Sequence, residues 1–404
     1  MVRSIELFSG AGGLALGLHQ AGFSPTALLE WDKNSCDNIN ANIVGGYSGV
    51  ADWKVVQTDV RNVCYSDYGQ GIQFVTGGPP CQPFSLGGKH KAHSDTRDMF
   101  PEAVRAVREL RPLGFIFENV KGLLRKSFSS YFNYILLQLS HPEIAIRDGM
   151  SWVEHLKMLE EYHTSSGRKG LEYNVVFRLL NAADYGVPQQ RHRVIIVGFR
   201  SDIDVHWSFP EPTHSKDALT YAKFGNVPDE SYWDKHRIAK KNRPEASPAE
   251  RQFVQTVDKS ALGNRWETVR DAIFGLPDPR SEGASKFANH EFKAGAKVYA
   301  GHTGSVLDEP SKTIKAGAHG VPGGENMFVL DDGSLRYYTV RESARLQTFP
   351  DDYLFHGSWT ESMRQIGNAV PVELANIIGK SVIKQIERAE ISDVERRQTS
   401  LKAV

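Results

Sequence analysis

In GGPPCQPFS, residues 77–85, Cys81 is one of only three cysteines and stands among Pro79, Pro80 and Pro83. Proline fixes φ and removes a backbone donor, so the stretch makes a poor strand or helix but a stiff platform, as a nucleophilic thiolate requires. The other two, Cys36 in a helix-like stretch and Cys64 near a loop, read as small hydrophobes. A second chemical signal is SGAGG: Gly10, Gly12 and Gly13 let backbone approach a nucleoside-type ligand, and Glu30, twenty positions after Gly10, suits a ribose hydroxyl. A third follows Cys81 directly. SLGGKHKAHSDTR offers Gly87 and Gly88 as a hinge and Lys89, Lys91 and Arg97 as positive charge, the composition of a flap that closes over a polyanion. His90 and His93 lie within it but lack carboxylate or cysteine partners at ligand spacing, so no metal site is expected.

These residues need a scaffold. SIELF reads as a strand, SGAGG as a loop and LALGLHQAG as a helix with Leu14 and Leu18 on one side. The run TALLE ends in Glu30, VVQTDV brings Asp59 to a third strand end, and IQFVTGG brings the Cys81 loop to a fourth. EAVRAVREL then reads as a helix, and GFIFENV as a fifth strand carrying Glu118 and Asn119. Alternating β and α units over residues 1–125 predict an α/β fold, a doubly wound, mostly parallel sheet that binds ligands at the carboxyl ends of its strands. Gly10, Gly12 and Ala15 also satisfy G-x-G-x-x-A, so a nicotinamide-dependent oxidoreductase stays open on the residues alone.

With 404 residues, two domains are expected. Residues 1–200 plus 336–404 would form the larger and 201–335 the smaller, where prolines, glycines, tryptophans and broken periodicity predict irregular, β-containing structure. Here KHRIAKKNR, residues 235–243, is basic without an acid, while PSKTIKAGAHGVPGGEN, residues 310–326, stands Thr313, Lys315 and His319 on glycine-rich backbone. After Pro371, Leu374, Ile377, Ile378, Val382 and Ile386 recur at helical spacing and predict a helix packed back onto the sheet near the first helix. Lys plus Arg equals Asp plus Glu at 48 each, so any phosphate-binding surface must come from local clustering. No apolar run approaches the ~20 residues that span a bilayer, MVRSIELFSG lacks a secretory pattern, and so few cysteines form no disulfide framework. A cytoplasmic protein is expected.

GGPPCQPFS, FENV and QQRHRVIIVG, in that order after FSGAGG and ahead of RESARLQTFPDDY and GNAVP, resemble the motifs of the cytosine-C5 DNA methyltransferase family, in its prokaryotic restriction–modification form. The resemblance runs from residue 4 to about 385 apart from a variable middle. It implies a Rossmann-like S-adenosylmethionine-dependent methyltransferase fold, with 201–335 as the target-recognition domain. It further implies that Cys81 adds to carbon 6 of a cytosine extruded from duplex DNA, so that carbon 5 can take the methyl group of S-adenosylmethionine. Glu118 would hold N3 and the exocyclic amine, Arg193 would hold O2, and Arg191 and Asn119 would support them. Phe8, Gly10, Gly12, Gly13, Glu30, Trp31, Asp59, Val60, Gly78, Pro80, Asn368 and Val370 would form the cofactor pocket. Ser85, Lys89, Lys91, Arg97, Thr313, Lys315 and His319 would touch DNA. The enzyme would act as a monomer on double-stranded DNA at the nucleoid, alongside a cognate restriction endonuclease that it does not stably bind. A related family that methylates transfer RNA carries a cysteine-phenylalanine-threonine motif, absent here because the cysteines are 36, 64 and 81. A catalytically silent DNA-binding protein is disfavoured by the presence of Cys81, Glu118 and Arg193 together.

Overall fold

The computed structural model describes residues 1–69, 71–80, 98–167, 169–227, 231–297, 303–317 and 326–402. Cys81, Ser85, Lys89, Lys91, Arg97 and His319 lie outside the described residues. The chain divides into two compact units: Met1–Leu180 with His192–Pro210 and Ala375–Val404, and Asn181–Arg191 with Glu211–Leu374.

The first unit is built on alternating strands and helices: β1 (Val2–Leu7), α1 (Gly13–Ala21), β2 (Phe23–Glu30), α2 (Lys33–Val44), β3 (Val55–Gln57), β4 (Phe74–Gly77), α3 (Phe100–Leu110), β5 (Gly114–Val120), α4 (Ser129–Ser140), α5 (Trp152–Thr164), β6 (Tyr173–Asn181) and β7 (His192–Arg200). The seven strands form one sheet in the order β3-β2-β1-β4-β5-β7-β6. The β1–β2, β1–β4, β2–β3 and β4–β5 pairs are parallel, while β7 runs antiparallel to β5. The strand order reverses between β1 and β4, and at such a switch point the loops at the carboxyl ends part to leave a crevice for ligands.

Burial explains the strand sequences. Ile5, Leu7, Leu29, Val75, Phe115 and Phe117 are buried in one cluster on one face, and Leu28, Phe74 and Ile116 are buried on the other, as in a sheet covered on both faces. Phe115 and Phe117, on the same face by the strand's two-residue period, stack with ring centroids 5.2 Å apart.

The second unit carries β8 (His214–Ser215), α6 (Lys216–Phe224), α7 (Tyr232–Lys235), α8 (Pro248–Thr256), β9 (Asn264–Arg265), α9 (Val269–Ile273), β10 (Ser305–Val306), β11 (Met327–Val329), β12 (Leu335–Tyr337), α10 (Val340–Leu346) and α11 (Trp359–Asn368). Its strands make a three-stranded sheet, β10-β11-β12, and a pair, β8-β9. Ser, Thr and Pro punctuate it, and its helices are short. The last helix, α12 (Val372–Lys402), starts in this unit and continues in the first.

The unit borders differ from the expected 200/201 and 335/336, and packing gives the reason. Arg345 on α10 donates to Phe274 O (2.9 Å) and Ala272 O (3.2 Å), which ties residues after 336 to the end of α9. Residues 181–191 join the same unit because Gln189 Nε2 donates to Leu346 O (3.2 Å) and Gln190 N to Ser311 O (2.8 Å).

In the first unit α12 lies on α1. A Cβ on Gly379 would sit 2.6 Å from Ala21 Cβ and 3.0 Å from Leu18 Cδ2, so only glycine admits this approach. Ile378, Val382 and Ile386 are buried, as their spacing predicts.

Candidate active site

Glu118 is the fifth residue of β5 and Arg193 the second of β7. The antiparallel register sets Arg193 opposite Val120 and Ile195 opposite Glu118, so the two long side chains are diagonal neighbours on one face. Arg193 Nε approaches Glu118 Oε1 to 2.5 Å, and Arg193 Nη1 donates to His192 O at 2.8 Å. Burial lowers the Arg193 pKa from its ordinary value, against the pull of Glu118. Gly78 comes close to the same carboxylate: a Cβ there would lie 3.1 Å from Glu118 Oε2.

Asn119, on the opposite face of the strand, turns towards the proline pair. Its Nδ2 donates to Pro79 O at 2.9 Å, and its Oδ1 accepts from Val120 N at 2.9 Å. Pro80 O accepts from Met99 N at 3.2 Å. The chain therefore leaves the sheet towards Cys81 with two successive carbonyls already held. This makes Asn119 a support for the turn.

At the neighbouring strand ends, the glycine loop is bound by the acid that the spacing singles out. Glu30 Oε2 accepts from Gly10 N (2.8 Å), and Oε1 accepts from Trp31 N (2.9 Å) and Asp32 N (2.8 Å). Burial raises the Glu30 pKa, and these backbone donors oppose the rise. A carboxylate offers about four acceptor positions, so capacity for one more donor remains. Phe8, Gly10 and Gly12 have φ of 58°, 52° and 78°. The glycines take this left-handed backbone without penalty; Phe8 does not, and such strain concentrates where a loop meets a ligand. Gly13 opens α1 and is buried. Trp31 is 73% exposed, so it is not a core residue, and its indole face stands open beside Glu30.

Asp59 follows β3 and caps a short turn, Val60–Asn62. Its carboxylate accepts from Arg61 N (3.0 Å) and Nε (2.9 Å), and the side-chain bonds to Arg61 hold its pKa below the usual range. Val60 is buried, with its carbonyl accepting from Arg105 Nη2 at 2.7 Å.

Sequence reasoning missed Arg61 and Arg105. It also missed Glu6, a buried acid on β1 whose Oε1 accepts from Ala15 N (3.1 Å) and Oε2 from the Thr76 hydroxyl (3.2 Å). Burial pushes Glu6 up to about 8. A lone acid in an apolar strand, SIELF, was the available signal.

In the second unit Arg191 is fully buried, donating to Ile314 O (3.1 Å), Gly367 O (2.7 Å) and Ala369 O (2.9 Å). It braces the GNAVP turn, where Asn368 is exposed and Val370 buried, against the segment that carries Thr313 and Lys315. Thr313 Oγ1 donates to Gln190 O at 2.7 Å, and the Lys315 backbone is matched on both sides by Asn326. Arg191 and Arg193, two apart in sequence, thus serve different structures.

A switch-point sheet whose glycine loop is held by Glu30 at the end of β2, with a Glu–Arg pair beside a proline-held turn, is that of an α/β enzyme with its site at the strand ends. The family model for C-5 cytosine-specific DNA methylase matches residues 2–142 and 156–384, and the chain belongs to that family. It is a DNA cytosine-5-methyltransferase. Among similar proteins, the Type II methyltransferase M.PspPI of Psychrobacter sp. (strain TA137) is 33% identical over 393 residues, covering 95% of this chain and 80% of that one. M.NgoMIV of Neisseria gonorrhoeae, also a Type II methyltransferase, is 30% identical over 385 residues, covering 95% and 98%. The crystal structure of the S. pombe Dnmt2 methyltransferase superposes with a TM-score of 0.54 at 17% identity, covering 96% of this chain and 99% of that one, a likeness of fold. Among the described residues no helix is long and apolar enough to cross a membrane.

Proposed function

We propose that this enzyme methylates one cytosine within a short duplex DNA sequence, with Cys81 as nucleophile and S-adenosylmethionine as methyl donor. The observation that carries this reading is the Glu118–Arg193 pair at the end of the sheet, next to a turn whose carbonyls are held by Asn119 and Met99.

The residues present fit the donor. Trp31 offers an open indole face to adenine, Glu30 retains acceptor capacity for a ribose hydroxyl, and the left-handed loop around Phe8, Gly10 and Gly12 presents backbone close by. S-adenosylmethionine supplies an electrophilic methyl group on a sulfonium. Glu118 holds N3 of an extruded cytosine and reads its exocyclic amine, while Arg193 holds O2. Both withdraw electron density from carbon 6, where the Cys81 thiolate adds; carbon 5 would then take the methyl group as the donor's sulfur–methyl bond breaks and S-adenosylhomocysteine leaves. Loss of the carbon 5 proton and elimination of the cysteine restore the aromatic ring. Flipping the base out of the stack costs about a few kcal/mol, offset by these contacts.

The second unit, through Thr313 and Lys315, chooses the sequence, as in a restriction–modification methyltransferase whose cognate endonuclease is a separate protein. The enzyme works as a monomer in the cytoplasm, on the nucleoid, and Ser85, Lys89, Lys91, Arg97 and His319 add contacts to DNA.

The test is transfer of labelled methyl from S-adenosylmethionine to unmethylated duplex DNA by wild type and by Cys81→Ser, with 5-methylcytosine mapped at base resolution. Cysteine-dependent label at one short sequence is the expected result. Label in RNA alone, or retained transfer in Cys81→Ser, would overturn it.

A further inference from the structure

The peptides that lead into Cys81 are held from further away than their own strand. Proline rings fix φ at Pro79 and Pro80. Their carbonyls are fixed by Asn119 Nδ2 at 2.9 Å and Met99 N at 3.2 Å. Asn119 belongs to β5. Met99 belongs to a linker, so its own position needs an explanation, and Asp98 supplies it. Asp98 Oδ1 accepts from Phe100 N at 3.3 Å, which ties it to the start of α3, and Oδ2 accepts from the Tyr131 hydroxyl on α4.

Tyr131 is itself well held. Its side chain is buried, its ring meets Trp152 edge-on at 5.6 Å and Tyr134 at 5.8 Å. Tyr134 in turn shares a hydrogen bond with His155 Nδ1 at 2.8 Å, and the other nitrogen of that ring lies 3.0 Å from Ile144 O. The hydroxyl of Tyr131 is thus presented to Asp98 by a packed aromatic group rather than by a free rotamer.

We propose that Tyr131 is a positioning residue for the methyl-transfer reaction: through Asp98 and the Met99–Pro80 hydrogen bond it fixes the peptide that precedes the nucleophile. This rests on the reading of Cys81 as that nucleophile. The path has one hydrogen bond from Tyr131 to Asp98, one residue of chain to Met99, and one hydrogen bond to Pro80 O. With φ set by the ring and the carbonyl direction set by its donor, the Pro80 peptide keeps little freedom. Releasing Asp98 returns that freedom one bond away from the reacting residue. Misplacement on the scale of an ångström is enough to slow a reaction strongly.

Tyr131→Phe removes one oxygen and keeps the ring that packs on Trp152 and Tyr134. Single-turnover methyl transfer should fall on the order of 10-fold, with KM for S-adenosylmethionine and for DNA within about twofold. Alkylation of Cys81 by iodoacetamide, followed by peptide mass, reads the same change without DNA and should alter in rate. Asp98→Ala should show a similar loss, and the double variant should be no slower than the slower single, because both act on one path. A merely structural role predicts a lower melting temperature with an unchanged single-turnover rate well below it, and that outcome, or losses that multiply, overturns the proposal. If Asp98→Ala does not fold, the rate of Tyr131→Phe against wild type still decides. A wild-type enzyme inactive on DNA overturns the reading of Cys81 and this inference with it, whereas active wild type with equally active Tyr131→Phe overturns the inference alone.

Discussion

Arg193 Nε stands 2.5 Å from Glu118 Oε1, and the two side chains are equally sheltered, 11% exposed each. Each therefore needs the other or a substrate. Glu118→Gln keeps the shape and removes the charge, leaving a buried guanidinium without its counter-charge. Single-turnover methyl transfer should fall by roughly 10²–10⁴, the range of a lost acid–base group. Arg193→Ala should fall comparably, and the double variant little further. A rate within threefold of wild type for Glu118→Gln would remove that residue from the chemistry.

Trp31 tests the proposed cofactor surface without touching the core. Being 73% exposed, it should cost less than about 0.5 kcal/mol of stability when replaced by Ala. Loss of an aromatic face of about 1.4 kcal/mol would weaken S-adenosylmethionine binding about tenfold. Calorimetric titration measures it, and equal affinities would place the adenine elsewhere.

Glu6 gives a pH signature. Below pH 4.5 the folded and unfolded chains both hold its proton; between 4.5 and about 8 only the unfolded chain has released it. The unfolded state then binds fewer protons, so stability falls as pH rises through that window, by about 1.4 kcal/mol for each pH unit, and levels off above it. In the protonated form Glu6 can donate to Thr76, whose hydroxyl has Ile5 O within 3.5 Å as an alternative acceptor. Glu6→Gln should flatten this part of the curve and be the more stable protein at pH 8.5. Denaturant unfolding at pH 5, 7 and 8.5 measures it; parallel curves for the two proteins would show that another group titrates.

Gly367 sits where a side chain cannot. A Cβ there would come within 2.6 Å of Ala316 Cα and Lys315 C, backbone atoms that no rotamer change can move aside. Gly367→Ala should destabilise the protein by about 1–3 kcal/mol through overpacking. An unchanged urea midpoint would mean that the two segments separate freely.

The sequence shows the chemistry better than the supports. Glu30 and the glycine loop are legible from residue type and spacing, Cys81 from the prolines around it, and the doubly wound sheet from alternating strand and helix periods, whereas Glu118 and Arg193 are singled out only by the resemblance of ENV and QQRHR to the family's motifs. Arg191 shows the limit. Two-residue alternation would set it on the same face as Arg193, but β7 begins at His192, so alternation does not reach it, and its guanidinium goes to three carbonyls more than 120 residues away in sequence. Tyr131 and Asp98, 33 residues apart, and Glu6 and Thr76, 70 apart, meet only through tertiary packing. The domain borders follow the same rule: hydrogen bonds such as those of Gln189 and Arg345 decide them, and composition does not show these.

The contact between Gly379 on α12 and Leu18 and Ala21 on α1 sets an order of events in the cell. α1 (Gly13–Ala21) leaves the ribosome long before α12 (Val372–Lys402). At about 5–20 residues per second, roughly 20–70 s pass between them. Throughout that time the side of α1 at Leu18 and Ala21 that meets Gly379 lacks its cover, and the long insertion that forms the second unit is synthesised in between. The first unit therefore cannot complete its packing until α12 has been made, and chains stalled before residue 372 keep that side of α1 uncovered.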